Sequence, residues 1–323
     1  MTDILRLVKE RQSMRLLLFF LVSTLFFTWV DLTGSQLGQL LAPAIGTPPS
    51  ESGLYGAFAC ALVLSFLLTI NIVVINKLPG RWFRVIVVWV ELLIGFLAFS
   101  YSFDLAYDFI GSRIGFLITQ GAFTTIYISL ISIAVASVIA MAGALAKLSK
   151  SPVAFGISTF YISFFRGLPL LMQIYLIYIG LPQMGFIVDP VPAGIAALSL
   201  CYGAYMAEIF RAGIQGVPHG QREAAAALGL RHTTIMWKIV LPQAMKLIVP
   251  PTGNQFIAML KDSSLVSVVG VWELTFLAKT QGRAEFKHLE MLITASIIYW
   301  ILSITFETIQ SRIERYYAKG DAR

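Results

Sequence analysis

Charge is scarce in this 323-residue chain: Asp, Glu, Lys and Arg make up only 13% of it, against 57% hydrophobic residues. That is too little charge to solvate the surface of an ordinary globular domain, so the composition places the chain in a bilayer. Cysteine is scarcer still. Cys60 and Cys201 both lie in apolar stretches and read as small core hydrophobes, so no disulfide framework is expected. The histidines, His219, His232 and His288, are scattered and form no HExxH, so no metal site is expected. There is no GxxxxGK[ST] phosphate loop and no GxSxG nucleophile turn, which argues against nucleotide binding and against a serine hydrolase. Acidic residues are outnumbered, giving a net charge of +7. The basic residues sit in short groups between apolar runs rather than in one stripe, so they point to membrane topology and not to nucleic acid.

What the chain has in abundance is apolar sequence. A spanning helix needs about 20 mainly apolar residues, and eight candidates are legible, near 15–31, 54–75, 83–103, 114–146, 153–180, 192–213, 240–260 and 289–310. The first follows Arg6, Lys9, Arg11 and Arg15 and lacks small residues at a cleavage position, which reads as an uncleaved signal anchor. The fourth is too long for one perpendicular span and is expected to tilt, or to begin as an interfacial helix around GSRIGFLITQG. Pro169, Pro242, Pro250 and Pro251 predict kinks or element ends. With the N-terminus inside, 18 of the 24 Lys and Arg residues fall in inner segments, so both termini are expected in the cytoplasm. The outer segment 261–288 is an exception, carrying Lys261, Lys279, Arg283 and Lys287 beside Asp262, Glu273 and Glu285. Its apolar SLVSVVGVWELTFLA predicts a re-entrant or interfacial piece packed on protein.

Between the sixth and seventh spans lies GQREAAAALGLRHTTIMWKIVLPQAM, residues 220–245, on the cytoplasmic side of this topology. Gly216, Pro218, His219 and Gly220 end the preceding span. A short helix then begins with Gln221, Arg222 and Glu223 in its first turn, where an acid suits the positive end of the helix dipole. Its body is alanine and Gly229 closes it. An amphipathic helix resting on lipid would carry bulky apolar residues on one face. An alanine face suits docking against protein better.

The spacing Glu223-Ala224-Ala225, three residues, Gly229, nine residues, Ile239, one residue, Leu241-Pro242 resembles the EAA loop of ABC-importer permeases, with every motif position filled. FRGLPLL (165–171), GAYMAEIFRAGI (203–214), PPTGNQF (250–256) and KDSSLVSVVGVWEL (261–274) narrow the resemblance to polar amino-acid permeases of the glutamine and histidine type, over roughly 114 to 318. The resemblance implies an all-α membrane protein of the type I importer class, with a five-helix permease domain at 114–318 preceded by a three-helix extension at 1–113 and followed by a tail at 319–323. The coupling helix would lie near 219–231. The family core has no counterpart of residues 1–113.

The implied function is the permease subunit of a binding-protein-dependent importer. Such a subunit moves a polar amino acid across the bacterial inner membrane by alternating access. The implied partners are ABC ATPase subunits, an extracytoplasmic binding protein, membrane lipid, and a second permease that is either a copy of this chain or a relative. ATP and Mg would sit on the ATPase, with no cofactor on this chain.

Ionisable groups at membrane depth are functional candidates by default. Arg166 could neutralise a substrate carboxylate or pair with an acid. Glu208 and Arg211, three apart, read equally well as an intrahelical ion pair. Asn254, Gln255, Lys261, Asp262, Ser263 and Ser264 offer donors and acceptors of both signs, which a zwitterion needs, or form a surface loop with a Lys-Asp pair. Glu91 in the third span has no partner visible in sequence, and Gly34-x-x-x-Gly38 and Gly111-x-x-x-Gly115 match a helix-packing spacing. The alternatives are an ATP-independent secondary transporter or channel, and a non-transporting scaffold coupled to an ATPase.

Overall fold

The computed structural model describes residues 2–34, 53–101 and 105–318, and the regular elements within them are helical. Residues 35–52, which include Gly38 of the first glycine pair, residues 102–104 and the tail 319–323 lie outside the described residues. The chain forms two compact units, Met1–Leu105 and Ala106–Arg323.

In the first unit, α1 (Thr2–Val30) packs against α2 (Gly53–Lys77), and α3 (Arg81–Tyr101) follows a tight turn at Gly80, φ 75°. Lipid tails are as apolar as leucine, so membrane helices associate through close packing rather than hydrophobic burial. On α2 the buried residues are small and helically spaced: Gly56, Ala57, Cys60, Ala61 and Ser65. Glu91 gains a partner that sequence did not reveal, because Asn71 Nδ2 donates to its Oε2 at 3.1 Å.

The second unit opens with α4 (Tyr107–Lys147), 41 residues long, with a π-helical turn at Leu117–Ala122. Next come α5 (Pro152–Gly167) and α6 (Leu170–Gln183), bent by 107° at their junction, so the expected straight span 153–180 is instead a broken pair. Pro169 is the cause. A residue before proline is driven out of the helical region, and Leu168 sits at φ −93°, ψ 139°. Then follow α7 (Pro190–Gln215), α8 (His219–Ala227), α9 (Leu241–Asp262), a 3₁₀ segment Ser263–Val269, α10 (Leu274–Ala284) and α11 (His288–Ala318).

Among the described residues five helices are long and apolar enough to cross a bilayer, or six if α5 and α6 form one span. Where their residues are described, the eight expected stretches lie largely on helix, the fifth broken at Leu168–Pro169. The one at 240–260 lies on α9, where Gln243, Lys246, Asn254 and Gln255 dilute the hydropathy. Gly111 and Gly115 have nothing within 4 Å of a Cβ built on them, so that pair mediates no close helix approach.

α7 is the axis of the unit. Small residues (Ala193, Gly194, Ala197, Gly203, Ala204, Ala207, Gly213) let α4, α5 and α9 approach it. A second core joins Leu117 and Ala122 of α4 to Leu274, Leu277 and Ala278 of α10 and Met291 and Ala295 of α11. The segment 263–284 is therefore packed on protein, as its apolar residues predicted. A Cβ at Gly121 would lie 2.9 Å from the Leu274 Cα, so glycine is required where α10 meets the π turn.

Glu273, fully buried between the spans, caps α10: its carboxylate accepts from Thr275 N at 2.8 Å, Phe276 N at 2.7 Å and the Tyr299 hydroxyl at 2.6 Å.

Candidate functional site

The alanine-rich stretch forms α8, and its ends are set by backbone chemistry. Pro218 occupies the N-cap, at φ −53°, ψ 134°. At the other end Gly229 takes φ 74°, its N–H donates to Ala226 O at 2.9 Å, and Leu230 N donates to Ala225 O at 3.2 Å. Those two bonds are the Schellman closure that only a left-handed residue permits. The helix starts at His219, where the resemblance placed it, and not at Gln221, where the first turn was expected. Glu223 therefore stands in the second turn, and the favourable dipole placement expected for it does not occur.

The motif divides by exposure. Glu223, Ala224, Ala226, Ala227 and Gly229 face outward, joined by Leu228 at 80% exposure and Trp237 at 64%. Ala225 points the other way, into the core shared with Ile235, Val240, Leu241 and, partly buried, Ile239. Pro242 is exposed and cannot donate to the carbonyl of Lys238. The helix accommodates this with the π-helical run Met236–Val240, while Gln243 Nε2 donates to Ile239 O at 3.0 Å. Thus Ile239, Leu241 and Pro242 seat the loop, and Glu223, Ala224 and Gly229 present it.

A second feature is a cavity of about 480 Å³ lined by Arg166, the α5–α6 break Gly167–Leu170, Cys201, Tyr202, Tyr205, Gln255 and Asp262. Irregular backbone at membrane depth is tolerated where protein or a cavity satisfies it, and a broken helix beside a polar cavity is how transporters build substrate sites. Here Phe165 loses its i+4 donor to Pro169. Buried Gln173 replaces it, donating through Nε2 to Phe165 O at 2.8 Å and to Leu168 O at 2.9 Å. Gln173→Leu is expected to orphan the Leu168 carbonyl and to leave Phe165 O only the weak Cys201 thiol at 3.8 Å, at about 1–3 kcal/mol for a carbonyl left unpaired, detectable as a lowered unfolding temperature of the purified protein.

Two charges of opposite sign face this cavity. The Arg166 guanidinium lies 5.1 Å from the centroid of the Tyr205 ring, a cation–π contact. Asp262 Oδ2 accepts from the Tyr202 hydroxyl at 2.7 Å. Of the substrate-path candidates, Arg166, Gln255 and Asp262 are brought together here. Asn254, Lys261 and Ser264 are not among the lining residues, and Ser263 is fully buried with its hydroxyl donating to Leu260 O at 2.7 Å. Glu208 belongs to a separate cluster: it accepts from Lys147 of α4 and pairs with Arg211 at 2.8 Å, and Arg211 also donates to Gln215. Sequence identified the Glu208–Arg211 pair but not Lys147, and it missed the Tyr202 and Tyr205 wall. Cys201 is buried as expected, yet it also borders the cavity.

Comparison with known proteins places residues 138–319 within the family described as binding-protein-dependent transport system inner membrane component. The arginine transport system permease protein ArtQ of Bacillus subtilis is 38% identical over 205 residues, which is 63% of this chain and 94% of the relative. The L-cystine transport system permease protein TcyB of the same organism is 36% identical over 208 residues, 63% and 89% of the two chains. Among solved structures, an amino acid ABC transporter with histidines matches at TM-score 0.58 and 38% identity, over 62% of this chain and 93% of that one. The MetNI methionine ABC transporter matches at 0.55 and 20% identity, over 64% and 98%, a likeness of fold.

Proposed function

Because the chain belongs to the binding-protein-dependent transport system inner membrane component family, we propose that it is the permease subunit of an ATP-driven importer that carries a polar amino acid inward by alternating access. The observation that carries this reading is α8. It is a short alanine helix with the full EAA spacing, closed by a left-handed glycine and offering small side chains to a partner. The chain is a transport subunit of the multi-pass inner membrane and not an enzyme, and hydrolysis belongs to a separate ATPase subunit.

In the proposed mechanism α8 faces the cytoplasm and sits in a groove of that ATPase, whose ATP and Mg drive closure and move α8 as a rigid body. The cavity receives the substrate. Arg166 meets the α-carboxylate, Asp262 meets the α-ammonium, and Gln255 supplies neutral hydrogen bonding. A polar zwitterion fits this set because each of its charges finds a complement that costs less than exposure to lipid. The pathway is completed by a second permease, a copy of this chain or a relative, and by a binding protein that delivers the amino acid from outside. Both termini then lie in the cytoplasm. The names of the relatives support an amino-acid cargo.

The test is reconstitution. The permease, its ATPase and its binding protein are placed in vesicles with radiolabelled arginine, glutamine, histidine or cystine. Uptake that requires ATP is the expected result. Uptake driven by an ion or solute gradient without ATP would establish a secondary transporter, and uptake under neither condition would establish a scaffold.

A further inference from the structure

The junction of α7 and α8 contains a device that the motif does not describe. A helix leaves its last carbonyls without intrahelical donors. At the end of α7, Ala212 O is taken by Gly216 N at 2.8 Å, but the i+4 donor for Ile214 would be Pro218, which has no N–H. Ile214 is completely buried, so water is a poor substitute. Arg222, the fourth residue of α8, reaches back across Pro218, and its Nη2 donates to the Ile214 carbonyl. Its Nε is also buried and has no partner, so the guanidinium is held by this bond and by packing. The cation stands where the negative end of the α7 dipole favours it, and the bond is charge-assisted.

The far side of this junction has no slack. A Cβ at Gly213 would fall 2.4 Å from Ile248 Cγ1, and one at Gly216 2.7 Å from Leu247 Cδ1, so α7 and α9 are wedged together there. These two helices carry Tyr202, Tyr205, Gln255 and Asp262 of the cavity wall. α8 packs on the π-helical run that leads into α9, whereas its side-chain hydrogen bond to the end of α7 is the one from Arg222.

We propose that Arg222 is a positioning residue that ties α8 to α7, so that a displacement of α8 reaches the α7 wall of the cavity directly as well as through the wedged contact with α9. This rests on the reading of α8 as the helix seated on the ATPase. The readout that separates it from simple helix capping is the number of amino-acid molecules carried per ATP hydrolysed.

The experiment uses the complete reconstituted importer with Arg222→Met, Arg222→Lys and Gly229→Leu, and whichever of arginine, glutamine or histidine the wild type accumulates. The expected result for Arg222→Met is normal recovery of ATPase with the permease, hydrolysis still stimulated by loaded binding protein, and uptake per ATP reduced about tenfold. Arg222→Lys keeps the charge and one donor and should recover part of the ratio; it also serves where the Met variant does not fold. An unchanged ratio in both Arg222 variants, with Gly229→Leu inactive, would overturn the tie and leave the α8 reading standing. So would uptake and hydrolysis falling in parallel. Normal assembly and uptake in Gly229→Leu would remove the α8 reading itself.

Discussion

Replacing Gly229 with leucine is expected to abolish ATP-driven uptake and to strip the ATPase from the purified permease. Gly229 holds φ 74°, a conformation that costs an ordinary L-residue roughly 1–2 kcal/mol. Nothing lies within 4 Å of a Cβ built there, so the penalty comes from the backbone and not from a clash. Leucine relieves it by leaving the left-handed region, which breaks the Gly229 N to Ala226 O and Leu230 N to Ala225 O bonds and redirects the chain after α8. The exposed alanines and Leu228 then no longer form the same surface. Because α8 is exposed and the core around Ala225 is anchored by Ile235, Val240 and Leu241, the spans should keep their thermal stability. Gly229→Asn is the informative companion, since asparagine tolerates the left-handed region and should retain part of the activity. Glu223→Ala should weaken coupling by removing an exposed carboxylate. Co-purification of the ATPase and uptake into vesicles measure all three, and wild-type behaviour of Gly229→Leu in both assays would end the assignment of α8.

α8 was legible in sequence because its signals are local: proline at one end, glycine at the other, alanine between. The intrahelical pair Glu208–Arg211 was legible for the same reason, since three residues is a fixed geometric offset on a helix. What stayed hidden depends on contacts distant along the chain. Lys147 reaches Glu208 across 61 positions, and Thr125 Oγ1 accepts from Leu274 N across 149. No periodicity encodes such meetings. The break at Pro169 was legible as a kink but not as a bend of 107°, because the angle is set by what packs on each half, including Gln173 folding back onto Phe165 and Leu168. The π-helical runs at Leu117–Ala122, Leu176–Gly180 and Met236–Val240 left little trace in the apolar pattern. The last two have a sequence cause in view, the missing donors of Pro182 and Pro242. Tyr202 and Tyr205 escaped notice because in an apolar run a tyrosine looks like core, and only the fold shows which face of α7 borders the cavity.

The second large effect is expected at Asp262. Its carboxylate ends α9 and is oriented by the Tyr202 hydroxyl at 2.7 Å, while Arg166 stands over the Tyr205 ring on another part of the same cavity wall. Asp262→Asn preserves an oxygen that can accept from Tyr202 and changes little in volume, so it isolates the charge. A hydrogen bond to a charged group contributes about 1.5–3 kcal/mol, which corresponds to about a 10- to 150-fold rise in KM for uptake of a zwitterionic amino acid. ATPase assembly and basal hydrolysis should be unaffected, since α8 is untouched. Tyr202→Phe removes only the orienting hydroxyl and should produce a smaller rise. Arg166→Gln should act on the carboxylate end, and the two charge variants can be told apart with an amino-acid amide, which lacks the carboxylate: the amide should discriminate against Asp262→Asn and be indifferent to Arg166→Gln. Unchanged KM in both charge variants, with normal assembly, would take the cavity off the substrate path and leave its two charges a purely structural role in holding α5, α7 and α9 around the break at Pro169.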